Sequence, residues 1–184
     1  MIRRAMVLIA LGALSAPAWA AEPRAGTRVG AGRSWDIALT QPGEPGRPFV
    51  IEGTLLGLPD SLPIHGATIT LYHADARGNY GPHGDARPRL AGTLTTNVAG
   101  GFRVRTVLPG SYDGTPHVHY RVKGAGFDHR GTLSLARRNG AGSDSAFAQL
   151  PWMLKLPGES WAYADPAAEG FHTTWTLVVE RTGR

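Results

Sequence analysis

The feature that most constrains this fold is a repeated two-residue alternation of apolar and polar side chains. It is clearest at residues 68–72, 102–107, 118–122 and 175–179. Because successive side chains of a β-strand point to opposite faces, these runs predict strands with one buried face. Further strands are predicted at 49–56, 90–96 and 131–135. The predicted fold class is all-β: an antiparallel β-sandwich with long loops in a single domain.

Turn-forming residues separate the predicted strands. Of 184 residues, 25 are Gly and 14 are Pro, with no collagen-like period. They mark turns at 57–60, 99–101 and 109–110, and this close spacing excludes a helical bundle. Charged residues make up 18% and hydrophobic residues 42% of the chain, which excludes a disordered chain and a protein with many membrane spans.

The N-terminal segment predicts export. Arg3 and Arg4 precede an apolar run at 5–14, and Ala18 and Ala20 supply the small residues that a signal peptidase reads. We expect a signal peptide at 1–20, a Gly- and Pro-rich arm at 21–47 and the domain at 48–184. Arg3 and Arg4 leave both the general and the twin-arginine routes open. The mature protein is expected to be periplasmic or extracellular, with no membrane association after cleavage.

Composition also limits the partners and the site chemistry. The chain has no Cys, which excludes thiolate metal sites and cysteine nucleophiles. Its 19 Lys and Arg residues outnumber 14 Asp and Glu residues, but the basic residues are scattered along the sequence. We therefore expect a solvated, slightly basic surface and no nucleic-acid partner.

Two histidines occur at strand spacing on one predicted face. In Pro116-His117-Val118-His119-Tyr120, the two-residue period places both imidazoles on one side, about 6.5–7 Å apart along the backbone. Two imidazoles on one face can bind one metal ion, but such a pair is often merely solvated surface.

Two tyrosines precede this pair in turns. Tyr80 ends the segment 72–80, and Tyr112 follows Leu108-Pro109-Gly110-Ser111. Either tyrosine alone would be interpreted as a packing residue with a hydrogen-bonded hydroxyl. The order G-x-Y, P-G-x-Y, H-x-H resembles the intradiol ring-cleavage dioxygenases, which include the catechol and protocatechuate dioxygenases. The resemblance covers about residues 49–137, with a matching last strand at 173–180.

The resemblance implies a mononuclear, non-haem ferric ion bound by Tyr80, Tyr112, His117 and His119. The donor types agree with this metal. Free tyrosine has a pKa near 10, so a phenolate at neutral pH needs a strong Lewis acid, and hard anionic oxygen favours Fe(III). Fe(III) with two tyrosinates, two neutral imidazoles and one hydroxide has no net charge. The net charge is still zero when a catecholate dianion replaces the hydroxide and one tyrosinate. A site that is neutral in both states can be buried.

The resemblance also implies a reaction. A small aromatic diol would displace hydroxide and Tyr112, both of which can take up substrate protons. O2 would then cleave the ring between its two oxygenated carbons, and both oxygen atoms would enter a muconate-type diacid. No reductant or organic cofactor is implied.

The sequence departs from the family pattern beside the predicted site. Relatives usually place an Arg three residues before the first His, where this chain has Gly114, and a Gln on the next strand, where residues 132–135 have none. His83, Arg130 and Ser134 are the candidate substrate contacts.

Other residues have structural interpretations. Asp75, with residues 77–79, is interpreted as turn chemistry. Four histidines are expected to be surface or capping residues: His65, His73, His129 and His172. Trp152 and Trp161 are expected in a C-terminal loop region that could wall a pocket, and residues 139–145 are expected to form a mobile loop.

Three alternatives to an active dioxygenase stay open at this point. One is a non-catalytic β-sandwich binding module of the transthyretin-like or carbohydrate-binding kind, in which the four predicted ligands would not converge. Another is a catalytically degenerate iron-binding relative. The last is a protein that binds a divalent metal through its histidines alone.

Overall fold

The computed structural model describes residues 34–83, 87–111, 114–124, 126–137 and 159–181. These residues form ten β-strands: β1 (Asp36–Ala38), β2 (Pro48–Leu58), β3 (Leu62–Pro63), β4 (Thr68–His73), β5 (Leu90–Thr95), β6 (Gly101–Val107), β7 (His117–Gly124), β8 (Phe127–Arg137), β9 (Glu159–Ala167) and β10 (Gly170–Glu180). Within these ranges no helix is long and apolar enough to cross a membrane. The predicted signal peptide, the predicted loop at 139–145 and Tyr112 lie outside the described residues.

Nine of the strands form one path of neighbours. Their order is β1-β6-β2-β10-β9-β8-β7-β4-β5, and β3 pairs with β2 beside this path. The two ends of the path come close together, because the N–H of Thr95 in β5 donates to the carbonyl of Ser34, just before β1 (3.1 Å). The sheet is therefore nearly closed, and the predicted all-β, single-domain fold is confirmed.

The pairing is mixed, which corrects the expectation of an antiparallel sheet. Strands β1 and β6, β2 and β10, and β8 and β9 are parallel pairs. The β2–β10 pair is the longest of the three, running from Phe49 opposite Phe171 to Leu58 opposite Glu180. Apolar alternation has the same period in both kinds of sheet, so the sequence pattern cannot distinguish them.

Strand β9 joins the two halves of the sheet. Its first part pairs in parallel with β8, from Glu159 to Ala164, and its end pairs antiparallel with β10. Trp161 therefore belongs to a strand, and the expected C-terminal loop was wrong at this residue. The pattern was missed because β9 is rich in Ala, contains Pro166 and has no β-branched residue.

The core lies on one face of β7, and the candidate site lies on the other. Val118, Tyr120 and Val122 are at most 4% exposed and belong to the core cluster. The Tyr120 ring packs against Trp175 with the ring centroids 4.9 Å apart. His117 and His119 alternate with these residues and are half-buried. Period two along β7 thus directs both imidazoles away from the core.

Candidate metal centre

Three of the four predicted ligand side chains meet at one point. The phenol oxygen Oη of Tyr80 lies 3.2 Å from Nε2 of His117 and 3.1 Å from Nε2 of His119. The two imidazole centroids are 4.8 Å apart. Tyr80 is only 4% exposed and both histidines are half-buried, so this contact is partly shielded from water. Tyr112, the fourth predicted ligand, lies outside the described residues.

The neighbouring strands hold the His119 ring. Tyr72 of β4 lies opposite His119 in the antiparallel β4–β7 pair, and the two rings stack with centroids 4.7 Å apart and planes at 24°. On the other side, Thr132 of β8 lies opposite His119, and its hydroxyl is 3.3 Å from Nδ1. Packing and hydrogen bonding therefore fix the ring so that Nε2 faces Tyr80.

The hydrogen bond to Nδ1 of His117 sets the tautomer of that ring. This nitrogen lies 2.8 Å from the carbonyl of Thr115, which can only accept, so Nδ1 carries the proton. In the neutral imidazole, Nε2 then has a free lone pair that points at the Tyr80 phenol. This is the arrangement in which a histidine ligates a metal through Nε2 while a carbonyl fixes its other nitrogen.

Tyr80 is delivered by a turn built on Asp75. The Asp75 carboxylate oxygen Oδ1 accepts from the N–H groups of Arg77 (2.9 Å) and Asn79 (3.0 Å). The Asp75 N–H donates to the carbonyl of Asn79 (2.8 Å), and Gly78 donates to that of Asp75 (3.0 Å). Gly78 adopts a positive φ of 84°, which glycine allows without strain. The interpretation of Asp75 as turn chemistry is confirmed.

Arg89 holds the far end of the same turn. Its N–H donates to the Tyr80 carbonyl (2.7 Å), and its guanidinium bonds both carboxylate oxygens of Glu44, at 2.5 and 2.7 Å. A longer contact of 3.5 Å joins the guanidinium to Asp75. The Arg89 hydrogen bonds hold the pKa of Glu44 below its usual value. Partial burial alone would raise the pKa of Asp75, but the N–H groups of its turn and the Arg89 charge together lower it.

The segment that leads to Tyr112 is bound to this turn. The N–H of Gly110 donates to the Asp75 carbonyl (2.8 Å). A Cβ atom at position 110 would lie 2.5 Å from the Gly78 nitrogen and 2.6 Å from the Ala76 carbonyl oxygen. Only glycine permits so close an approach. The two tyrosine-bearing segments are thus in direct backbone contact before either reaches its tyrosine.

His73 is not the surface or capping residue that we expected. It is fully buried, with Nδ1 2.6 Å from the Ala74 carbonyl and Nε2 2.8 Å from the Thr106 hydroxyl. The carbonyl only accepts, so Nδ1 carries the proton and Nε2 accepts from Thr106. Burial lowers the pKa of His73 to about 4, which keeps the ring neutral. Its two satisfied bonds make it a structural residue of the interior, whereas His65 is exposed and His129 and His172 are half-buried.

Strand register places two of the three candidate substrate contacts, Ser134 and Arg130, on the site face. Ser134 is directly opposite His117 in the β7–β8 pair and is half-buried, so it borders the cluster. Arg130 is exposed and opposite Arg121, one cross-strand position on this face beyond His119. His83 is exposed in the turn that follows Tyr80.

A cleft of about 490 Å³ is lined by the segment that leads to Tyr112. Ser111 and Pro116, which lie beside the predicted ligands Tyr112 and His117, line it together with Leu135 and Arg47. The Arg47 guanidinium stacks over the Phe171 ring at 4.2 Å. This size and mostly apolar lining suit a small aromatic molecule.

The converging donors fit a metal ion. Atoms that bind one ion at about 2.1 Å lie about 3 Å apart when the bond angle is near 90°. The phenol oxygen stands at such distances from both Nε2 atoms. In the described part of the chain, no three His, Asp or Glu side chains group to hold a metal ion, so the third donor here is a phenol. A phenol oxygen with two imidazoles is a hard, mixed O and N donor set that suits ferric iron.

Comparison with known proteins places the chain in a family. A family model described as dioxygenase matches residues 27–130. The chain belongs to the intradiol ring-cleavage dioxygenase family. Catechol 1,2-dioxygenase 1 of Acinetobacter lwoffii is 35% identical over 79 residues, which are 41% of this chain and 25% of that protein. The chain thus matches only a quarter of the length of this curated relative.

Solved structures share the fold. The dioxygenase domain of a dioxygenase and carbohydrate-binding fusion from Streptomyces sp. SirexAA-E is 26% identical, with a TM-score of 0.57, and the match covers 78% of this chain and 86% of that one. Catechol 1,2-dioxygenase from Acinetobacter sp. ADP1 is 21% identical, with a TM-score of 0.58, and the match covers 80% of this chain and 57% of that one. An intradiol ring-cleavage dioxygenase from Tetranychus urticae is 21% identical, with a TM-score of 0.58, and the match covers 80% of this chain and 87% of that one.

The roles of several residues around the cluster could not be predicted from the sequence. The places of Tyr72 and Thr132 beside His119 follow from strand register, and the glycines at 124 and 126 mark the β7–β8 turn that sets one of these registers. Arg89 and Glu44 are 45 residues apart in the chain, so no local pattern connects them.

Proposed function

We propose that this dioxygenase-family protein is an exported Fe(III) intradiol dioxygenase. It cleaves a catecholic ring between its two hydroxylated carbons and uses O2 to give a muconate-type diacid. The observation that carries the proposal is the convergence of Tyr80 with His117 and His119. A binding module without a metal has no need for a buried phenol oxygen between the Nε2 atoms of two imidazoles.

Tyr80, His117 and His119 would hold the iron, with Tyr112 as the predicted fourth ligand. When bound there, ferric iron would supply the Lewis acidity that makes a catechol ring reactive toward O2. The residues of the chain provide the setting. Thr115 keeps the proton of His117 on Nδ1, and the Tyr72 and Thr132 contacts keep His119 in place, so both Nε2 atoms are directed at one point.

Tyr112 would handle the substrate protons. A phenol has a pKa near 10, so a tyrosinate released by the incoming diol can accept one of its protons. Ser134, next to His117 on the same face, is the nearest of the three candidate substrate contacts in the strand register. Both atoms of O2 enter the product, so the reaction consumes no reductant.

The experiment is an anaerobic titration of the iron-loaded mature protein with catechol, followed by addition of O2. We expect a red-brown tyrosinate-to-Fe(III) absorption band that shifts with catechol and decays to a ring-opened diacid after oxygen is admitted. Protein that takes up no ferric iron contradicts the proposal and leaves a binding module.

A degenerate iron-binding relative is the second candidate, favoured by Gly114. Relatives usually place an Arg here, but Gly114 has a φ of 112°, a conformation that residues with a side chain rarely adopt. The backbone at this position is thus built for glycine. Protein that binds iron, shows the band and never opens the ring would identify this second function.

Export is a separate part of the proposal. It is supported by the charged start, the apolar run and the Ala-Trp-Ala segment at 18–20. Expression in a bacterial host followed by mass measurement of the periplasmic and secreted fractions should give a chain that begins at Ala21. Full-length protein retained in the cytoplasm would contradict it.

A further inference from the structure

The turn that carries Tyr80 is held at both ends by one arginine. The main chain of Arg89 bonds the Tyr80 carbonyl, and its guanidinium reaches Asp75, the residue on which the turn is built. Glu44 anchors this guanidinium from a third segment of the chain with two further bonds. We call Glu44, Arg89 and Asp75 the clamp.

The clamp differs from an ordinary surface ion pair. An exposed pair contributes little because water screens the charges and both side chains are free to move. Here the Glu44 side chain is only 9% exposed and the Asp75 side chain 20%, although Arg89 is 43% exposed. The guanidinium meets Glu44 in a two-bond geometry that fixes its orientation. An oriented guanidinium can hold the turn in one position.

A second turn in the same chain shows that the hydrogen bonds of the Asp75 turn do not require a carboxylate. Asn97 Oδ1 accepts from the N–H groups of Ala99 (2.9 Å) and Gly101 (2.8 Å), as Asp75 Oδ1 accepts from residues two and four positions on. A neutral amide therefore makes the same turn. The turn therefore does not require the negative charge of Asp75, and this charge interacts with Arg89. The turn with the charge is the one that carries Tyr80.

We propose that Glu44, Arg89 and Asp75 are positioning residues that hold the Tyr80 phenol against His117 and His119. Through the Gly110 bond to the Asp75 carbonyl, the clamp also sets the place from which the Tyr112 segment starts. The positioning itself is a property of the metal-free chain. Its effect on ferric iron rests on the proposed function.

The test compares two clamp variants with two matched controls. Asp75→Asn keeps the turn, as Asn97 demonstrates, but removes the charge that faces Arg89. Arg89→Met removes the guanidinium and keeps the main-chain bond to Tyr80. Asn97→Asp makes the reverse exchange in the second turn, and Arg105→Met removes a surface pair with Asp36 at 3.0 Å, away from the site.

The first measurement uses metal-free protein. Nuclear Overhauser contacts between the Tyr80 and His119 rings, whose centroids are 6.2 Å apart, report the positioning directly. We expect these contacts to weaken in Asp75→Asn and to disappear in Arg89→Met, while both controls keep them. Arg89→Lys, which restores the charge without the two-bond geometry, should recover them in part.

The second measurement is ferric iron binding and the energy of the tyrosinate absorption band. Arg89→Met should bind iron about 10- to 100-fold more weakly, as expected when a residue that supports a metal ligand is lost. Asp75→Asn should show a smaller loss with a shifted band, and the controls should match the wild type.

The outcomes separate the two proposals. Ring contacts that persist in both clamp variants overturn the clamp, whatever the iron result. Equal losses in the clamp variants and the controls also overturn it, because they indicate a general loss of stability. A wild type that shows the ring contacts, loses them in Arg89→Met and binds no ferric iron supports the clamp and contradicts the proposed function.

Discussion

The turns at Asp75 and Asn97 share their hydrogen bonds and differ in what surrounds them. In both, the first residue accepts from positions two and four residues on, and a glycine of positive φ, Gly78 or Gly100, occupies the fourth position. The Asn97 turn connects β5 to β6 and exposes 83% of Val98 to solvent. The Asp75 turn carries Tyr80 into a buried contact with two histidines.

The difference teaches how a site is added to a turn that could exist without it. The Asn97 turn is held by its local bonds, by the N–H of Leu55, which donates to the Gly100 carbonyl (2.9 Å), and by the neighbouring Thr96 hydroxyl. The Asp75 turn is held in addition by Arg89, by Gly110 and by the buried His73 that ends the strand before it. Distant segments therefore fix the place of both turns, but only the Asp75 turn is held by a charged side chain, that of Arg89.

The largest expected effect is a difference in stability between variants of the two aromatic residues that follow the turns. Tyr80 stands five residues after Asp75, and Phe102 stands five residues after Asn97 and packs edge-on against Trp175. Phe102→Ala should lower the free energy of unfolding by about 3–5 kcal/mol, because it empties a core position. Tyr80→Phe keeps the ring and should cost about 1 kcal/mol or less.

In ferric iron titrations of the same two variants, Tyr80→Phe should have the larger effect and Phe102→Ala the smaller one. Tyr80→Phe should weaken iron binding by at least about 100-fold, more than the loss of a supporting residue. Phe102→Ala that is still folded in the cold should bind as the wild type does. Urea unfolding of metal-free protein supplies the stabilities, and a Tyr80→Phe protein with unchanged iron affinity would remove the functional distinction between the turns.

The next effect is a pH dependence that belongs to the Asp75 side alone. His73 has a pKa of about 4 when folded, mainly because of burial, with Glu44, Asp75 and His117 as the charged groups around it. Unfolded, its pKa is near 6.5, so the unfolded chain binds the extra proton first as the pH falls. Stability should therefore decrease from about pH 6.5 to pH 4, by about 3 kcal/mol in total.

His73→Gln provides the comparison, since its amide keeps one donor and one acceptor for Ala74 and Thr106. Urea unfolding between pH 6.5 and 4.5 should show a clear slope in the wild type and a flatter one in this variant. Acid effects from Glu44 and Asp75, whose pKa values are lowered, fall mostly below this window. The Asn97 turn is anchored instead by the Thr96 hydroxyl, which does not titrate. Equal slopes in the two proteins would contradict the assignment.

The smallest effect tests close backbone approach at each turn. A Cβ at Gly110 would lie 2.5 Å from the Gly78 nitrogen, and one at Gly100 would lie 2.6 Å from the Leu55 carbonyl oxygen. Each change to Ala should cost about 1–3 kcal/mol of stability. Only Gly110→Ala should also weaken iron binding, because it separates the two tyrosine-bearing segments. Gly100→Ala serves as the control, and a similar iron affinity in both variants would argue against a role for this contact.

The features that could be predicted from the sequence are those that depend on local periodicity. Alternation located β2, β4, β6, β7 and β10, and it placed His117 and His119 on one face of β7. The same rule puts His73 on the buried face with Ile69 and Leu71, but the polar character of histidine led us to expect the surface. Parallel pairing, the joining strand β9 and the contact of Arg89 with Glu44 depend on segments far apart in the chain, and no local pattern records them.

The parallel pairing of β10 with β2 has a consequence for how the chain acquires its structure. Phe171 must find Phe49, and β9 must pair with both β8 and β10, before the two halves of the sheet are joined. Contacts so distant in sequence require large loops to close first, which slows folding into the range of milliseconds to seconds. Until β10 pairs with it, β2 has one edge unpaired. Shielding of that edge is then a requirement of biogenesis, separate from the stability of the finished protein.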